Sequence, residues 1–289
     1  MTYPSARDGV ESSKLRPDTP QTRSPAYELA YADEEFLCRS ALRPVRLQLE
    51  LMKPDLLLKE RRVYATFVIF GSARTLDRAT SEANLRDAKS AAQGDPDNEE
   101  LQQAVKKAER EVKNSHYYEE ARKLAALVSS SRKHSGRSHF TVATGGGPGI
   151  MEAANRGAAE ADADSVGYNI VLPFEQAPNT YVTPELCFNF HYFAIRKMHF
   201  LMRAEAVCAF PGGFGTLDEL FETLTLIQTR KVKRLPILLF GQEFWSRVVN
   251  FDTLIEEGVI SPKDVDLFEF VETAEDAWKA VADFYNVPR

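Results

Sequence analysis

The chain has 289 residues, 44% hydrophobic and 27% charged, with a formal net charge of −6. That balance is ordinary for a globular protein and excludes the global basic field that draws nucleic acid or an anionic membrane. Three cysteines (Cys38, Cys187 and Cys208), odd in number and far apart, form neither a disulfide framework nor a zinc knuckle, which fits a reducing cytoplasm.

Residues 1–25 hold four of the fifteen prolines and almost nothing large and apolar, so the composition predicts a disordered tail. No signal peptide is legible there, and no stretch anywhere approaches the roughly 18 apolar residues of a membrane helix. Over 26–63 the leucines from Leu42 to Leu58 recur with a helical pattern, giving an N-terminal helical extension. The run "YATFVIFGSAR" from Tyr64 then reads as a buried strand feeding a tight turn at Gly71 and Ser72.

Residues 76–116 interrupt the pattern. Highly charged and centred on "QGDPDNEE", they predict an inserted helical hairpin, with Asp95 as N-cap and Pro96 at the first helical position. Leu101, Val105, Ala108 and Val112 make a narrow apolar stripe, which reads either as a solvated spacer or as an oligomerisation arm, with the arm favoured. Beyond the hairpin, strands are predicted at Phe140–Thr144, Val166–Leu172, Leu186–Phe190, Ala206–Phe210, Pro236–Phe240 and Phe268–Val271. Helices alternate with them near 117–131, 149–161, 192–204, 216–230, 243–256 and 274–285. Strands alternating with helices give βαβ units, and therefore a doubly wound parallel α/β domain over 64–289.

In such a sheet, ligands bind beyond the carboxyl ends of the strands. Three glycine-bearing turns fall there: "FGSAR", "ATGGGPGIMEAAN" and "FPGGFGTLDE". A helix opening right after such a turn points free N–H groups outward, which favours an anion such as phosphate. There is no G-x-x-x-x-G-K-[ST], and "GGGPGI" lacks the last glycine of G-x-G-x-x-G, so a monophosphate fits better than a triphosphate or a dinucleotide. No metal-ligating constellation and no cofactor motif is present.

Glu219 follows Thr216 by three residues, on one face of a helix start. Thr-Leu-Asp-Glu is also a capping box, so spacing alone leaves two readings open: a helix cap or a functional acid. Asp218 points about 100° away and reads as a surface acid complementing the helix dipole. Arg196 and Lys197 lie near the start of the preceding helix, where a cation gains nothing from the dipole and can serve an anionic ligand. Phe193, Phe200, Leu201 and Met202 read as core. His191 and His199 have no partner at metal spacing. The Arg132–Arg137 loop is a short basic segment that reads as solvated.

"GGGPGIME" (Gly145–Glu152), Arg196–Lys197 and "PGGFGTLDE" (Pro211–Glu219) together resemble the Lonely Guy (LOG) family of nucleoside 5′-monophosphate phosphoribohydrolases, which includes the cytokinin-activating enzymes. The resemblance covers about Ala65–Tyr285 outside the hairpin. It implies a Rossmann-like fold, cleavage of the base–ribose bond, and a homo-oligomer of two or more copies. It implies Glu219 and Arg196 as the catalytic pair. Phosphate and substrate would be held by Gly71, Ser72, Gly145, Gly146, Gly147, Gly149, Lys197, Gly212, Gly213, Gly215 and Thr216. Phe193-Ala194 stands where the family often has Met-His, which opens the question of base preference. The family has also carried the label lysine decarboxylase, yet no pyridoxal-phosphate site is legible. A non-catalytic nucleotide sensor of the same fold is the alternative.

Overall fold

The computed structural model describes residues 4–135, 140–173 and 177–286, with the side chains of 132–135 excepted. The Arg132–Arg137 loop therefore lies outside the described side chains. The chain divides into two compact units, 1–53 and 54–289.

The first unit carries α1 (Ala6–Lys14) and α2 (Glu34–Cys38) and most of α3 (Arg43–Glu60). In place of a disordered tail, residues 6–14 form a helix started by a capping box, in which the Ser5 hydroxyl accepts from Asp8 N–H and the Asp8 carboxylate from Ser5 N–H. Neither α1 nor α2 buries a residue. These helices are held by local caps rather than by a core.

The second unit is built on seven parallel strands: β1 (Ala65–Phe70), β2 (Phe140–Thr144), β3 (Ser165–Ile170), β4 (Cys187–Phe190), β5 (Ala204–Ala209), β6 (Ile237–Phe240) and β7 (Glu269–Val271). Their order is β4-β3-β2-β1-β5-β6-β7. All six residues of β1 are buried. Their side chains alternate between two cores, Ala65, Phe67 and Ile69 on one face, Val68 and Phe70 on the other. A strand covered on both faces must be apolar throughout, which is why it reads as a continuous run. The chain moves outward from β1 in one direction through β2 to β4, then in the other from β5 to β7. The order reverses between β1 and β5, and such a reversal opens a crevice above the strand ends.

After β1 come α4 (Arg78–Gly94) and α5 (Glu99–Ser135). The hairpin expected over 76–116 and the helix expected at 117–131 share one helix, α5, of 37 residues and about 55 Å. No glycine or proline interrupts 99–135, so nothing ends it sooner. Its cap also differs from expectation. Asn98 Oδ1 accepts from the N–H groups of Glu100 and Leu101, whereas Asp95 caps the C-terminus of α4. The apolar stripe is covered from within the chain, with Ala108 buried and α4 tied across by Asn84 to Glu111 and Lys89 to Glu109. The far half of α5 brings Tyr118, Ala121, Leu124, Ala125 and Val128 into the sheet core.

The remaining helices are α6 (Ile150–Glu160), α7 (Phe193–Met202), α8 (Phe214–Gln228), α9 (Gln242–Val248), α10 (Phe251–Glu256) and α11 (Ala274–Tyr285). The single helix expected at 243–256 is two, because Asn250 accepts from Thr253 N–H and starts α10. Among the described residues, no helix is long and apolar enough to cross a membrane.

Candidate active site

Three loops meet above β1, β2 and β5. Ser72 N–H donates to the Pro211 carbonyl at 3.0 Å, and Ile150 N–H donates to the Ser72 carbonyl at 3.1 Å. The first loop is thus bonded to the other two. At Gly71 a Cβ would lie 2.6 Å from Ile150 Cγ2, so only glycine lets them close.

The GGGPG loop is held from beneath by a polar cluster. Gly146 N–H donates to Thr144 Oγ1 at 2.9 Å. Asn179 Nδ2 donates to the carbonyls of Gly146 and Gly147 at 3.1 and 2.9 Å and to Asn155 Oδ1 at 3.0 Å. Asn155, fully buried, also accepts from Thr144 Oγ1 and donates to Ser165 Oγ. Each such group left unpaired costs about 1–3 kcal/mol, so the cluster fixes the loop as a unit. Sequence reading missed these residues. Asn155 carries a weak signal, a polar side chain on the apolar face of "IMEAAN"; Asn179 carries none.

α8 starts earlier than expected. Gly213 is its N-cap and Phe214, Gly215 and Thr216 form the first turn, so Thr216 and Glu219 are not a capping box. Gly213 offers no side-chain cap, and the first N–H groups of α8 have no helical carbonyl to bond. A Cβ at Gly213 or Gly215 would meet nothing within 4 Å, so the first turn of α8 borders open space.

That space belongs to a cleft of about 650 Å³ lined by Gly71, Ser72, Arg74, Gly145, Met151, Phe193, Arg196, Phe200 and the 213–219 segment. Among the sequence-predicted residues, Gly71, Ser72, Gly145, Arg196, Gly213, Gly215, Thr216 and Glu219 line it. Five do not. Gly146 and Gly149 are left-handed (φ 71° and 72°) and pack on Asn169 and on the Ser72–Ala73 backbone, while Gly147 lies beside Met151. Gly212 packs on Thr216 and borders a second cavity. Lys197 is taken by acids, its Nζ 2.9 Å from Asp218 and 3.2 Å from Glu222. Asp218, the expected surface acid, is thus an ion-pair partner at the rim of the cleft.

Glu219 is 7% exposed, and its carboxylate makes no hydrogen bond or ion pair among the described residues. Desolvation pushes its carboxyl up to about 7, against the opposing pull of Arg196 and Lys197. Arg196 donates from Nε to the Tyr168 carbonyl at 2.7 Å and lies 5.1 Å from the centre of the Phe200 ring and 5.9 Å from that of Phe193. Burial lowers its pKa, and Glu219 acts in the opposite sense. A Cβ at Gly145 would stand 2.6 Å from Arg196 Nη2, so this glycine makes room for the guanidinium. Phe193 and Phe200, expected only as core, flank it and line the cleft. Neither His191 nor His199 lines the cleft. A buried acid, a half-buried arginine and an open helix N-terminus converge on one space.

The family model described as "Possible lysine decarboxylase" matches residues 151–281. A cytokinin riboside 5′-monophosphate phosphoribohydrolase of Arabidopsis thaliana (LOG1) is 33% identical over 95 residues, 32% of this chain and 44% of that protein. A probable enzyme of the same name from Oryza sativa subsp. japonica (LOGL5) is 30% identical over 148 residues, 50% of this chain and 58% of that one. Over these stretches the chain is similar to the LOG family. It spans about half the length of these curated LOG relatives. A solved structure, the molybdenum cofactor binding protein of Rippkaea orientalis, overlays with a TM-score of 0.43 at 19% identity, covering 58% of this chain and 88% of that one. At that depth it speaks neither to ligand nor to activity.

Proposed function

We propose that the protein hydrolyses the N-glycosidic bond of a nucleoside 5′-monophosphate, AMP or a cytokinin riboside 5′-monophosphate, to free base and ribose 5-phosphate. Glu219 carries this reading: a buried carboxylate with no bonded partner, one turn beyond an uncapped helix N-terminus, opening on the same cleft as Arg196. The 5′-phosphate sits at the N–H groups of Phe214, Gly215 and Thr216, which places the ribose over the next turn of α8. As the bond between C1′ and the base nitrogen breaks, its electron pair leaves with the base, which takes up a proton. Positive charge develops on the ring, and the Glu219 carboxylate stabilises it until the oxygen of water, losing a proton, bonds to C1′. Phosphate binding remote from the reacting bond supplies the orientation. Decarboxylation through a Schiff base finds no support, since among the described residues the cleft lining contains no lysine.

The test is chromatography of free base after incubation with AMP and isopentenyladenosine monophosphate, beside the matching ribosides. Base from the monophosphates alone is expected, and the faster substrate names the preferred base. Tight binding without release would replace the enzyme by a nucleotide sensor.

The reading includes a second copy of the chain. Phe193, Met198 and Met202 on α7 and Phe214 and Phe221 on α8 leave apolar side chains exposed near the cleft. Light scattering should give the mass of a dimer or a larger oligomer; a monomer at micromolar concentration removes this part of the proposal.

A further inference from the structure

We propose that Arg74 is the cation that grips the 5′-phosphate, opposite the N-terminus of α8. The inference rests on the nucleotide reading and assigns a residue outside the motifs that carry the resemblance. A phosphate dianion at Gly213–Thr216 meets only about half a unit charge from the helix, so a full cation is needed nearby.

Three cations lie close, and two are committed. Arg196 is bonded to the Tyr168 carbonyl, flanked by two phenylalanine rings and set electrostatically against Glu219. Lys197 Nζ is shared by Asp218 and Glu222 and does not line the cleft.

Arg74 differs from both. It lines the cleft, is exposed, and its guanidinium makes no ion pair or hydrogen bond among the described residues. Its backbone is nonetheless fixed. Arg74 N–H donates to Ser72 Oγ at 3.1 Å, and Ser72 is bonded on either side to Pro211 and Ile150. The base of the side chain is thus set where all three loops meet.

On its other side Arg74 borders the second cavity, about 340 Å³, whose acids are Glu111 and Glu243. Both have cations already: Glu111 faces Lys107 at 3.7 Å, and Glu243 faces Arg247 at 3.7 Å and Lys113 at 3.9 Å. The Arg74 charge is left for something the chain itself does not supply. A guanidinium can give a phosphate two parallel N–H bonds, which a lysine cannot.

The test compares wild type, Arg74→Ala and Arg74→Lys for ribose 5-phosphate and ribose binding by calorimetry, and for KM and kcat with AMP. Arg74→Ala should weaken ribose 5-phosphate binding, raise KM about tenfold or more and melt with wild type; Arg74→Lys should recover part of the loss. If wild type releases base and Arg74→Ala keeps both constants within about twofold, the assignment falls and the activity stands. If ribose 5-phosphate binds through Arg74 but no base is released, the activity falls and the assignment stands. If wild type neither binds ribose 5-phosphate nor releases base, both fall.

Discussion

Glu219→Gln should abolish base release while making the protein more stable above neutral pH. The first half follows from charge. A neutral amide cannot stabilise a cationic ribose, and removing such a group costs about 10²-fold or more in kcat. Ribose 5-phosphate binding should survive, because the phosphate is held a turn earlier.

The second half follows from burial. The carboxyl is moved from its ordinary 4.5 to about 7 by desolvation. Ionising it in the fold therefore costs about 3 kcal/mol relative to the unfolded chain. Between pH 4.5 and about 7 the native state keeps a proton that the unfolded chain has released. This group's contribution is thus complete below 4.5 and lost as pH rises through about 7. Removing the charge should raise stability by about 1–3 kcal/mol at pH 8 and by much less at pH 5. Melting curves at the two pH values read the difference. A gain equal at both, or none, would mean that the carboxylate is not desolvated. Activity within about tenfold of wild type would remove Glu219 from the chemistry. In wild type, kcat/KM should rise through pH 7 as the carboxylate ionises, and a falling profile would make it the acid instead.

Gly149→Ala should be the most damaging single methyl group in the three loops. Gly149 caps α6 at φ 72° and ψ −130°, a conformation open essentially to glycine alone. The added Cβ would press on the Ser72 carbonyl oxygen and lie 2.7 Å from the Ala73 carbonyl carbon. It would therefore strain its own backbone and also pry apart the bond from Ile150 N–H to Ser72. A loss of about 3 kcal/mol or more is expected from the urea midpoint. Gly213→Ala provides the contrast, since its backbone is extended and its Cβ would meet nothing within 4 Å. It should shift the midpoint by less than about 1 kcal/mol. Equal losses in the two variants would refute the assignment of Gly149 as a built contact, and folding failure of Gly149→Ala alone would agree with it.

These two residues also mark what the sequence determines. Alternating apolar strands and amphipathic helices are local patterns, so the parallel sheet, its seven strands and the glycine turns above it are legible from residues a few positions apart. The positions of Glu219 and Arg196 in that pattern already point at the cleft. What the tertiary structure decides depends on distant partners. Lys197 is removed from the cleft by acids 21 and 25 residues later in the chain. Gly146 is fixed by Asn179, and Arg196 by a carbonyl on β3. The two readings of Thr216–Glu219 are separated only by where α8 begins, which glycine-rich sequence obscures because the same residues serve loop and first turn. Burial makes the largest difference. Whether an acid is a surface cap or a desolvated group with its carboxyl near 7 is a property of everything packed around it, and no spacing along the chain encodes that.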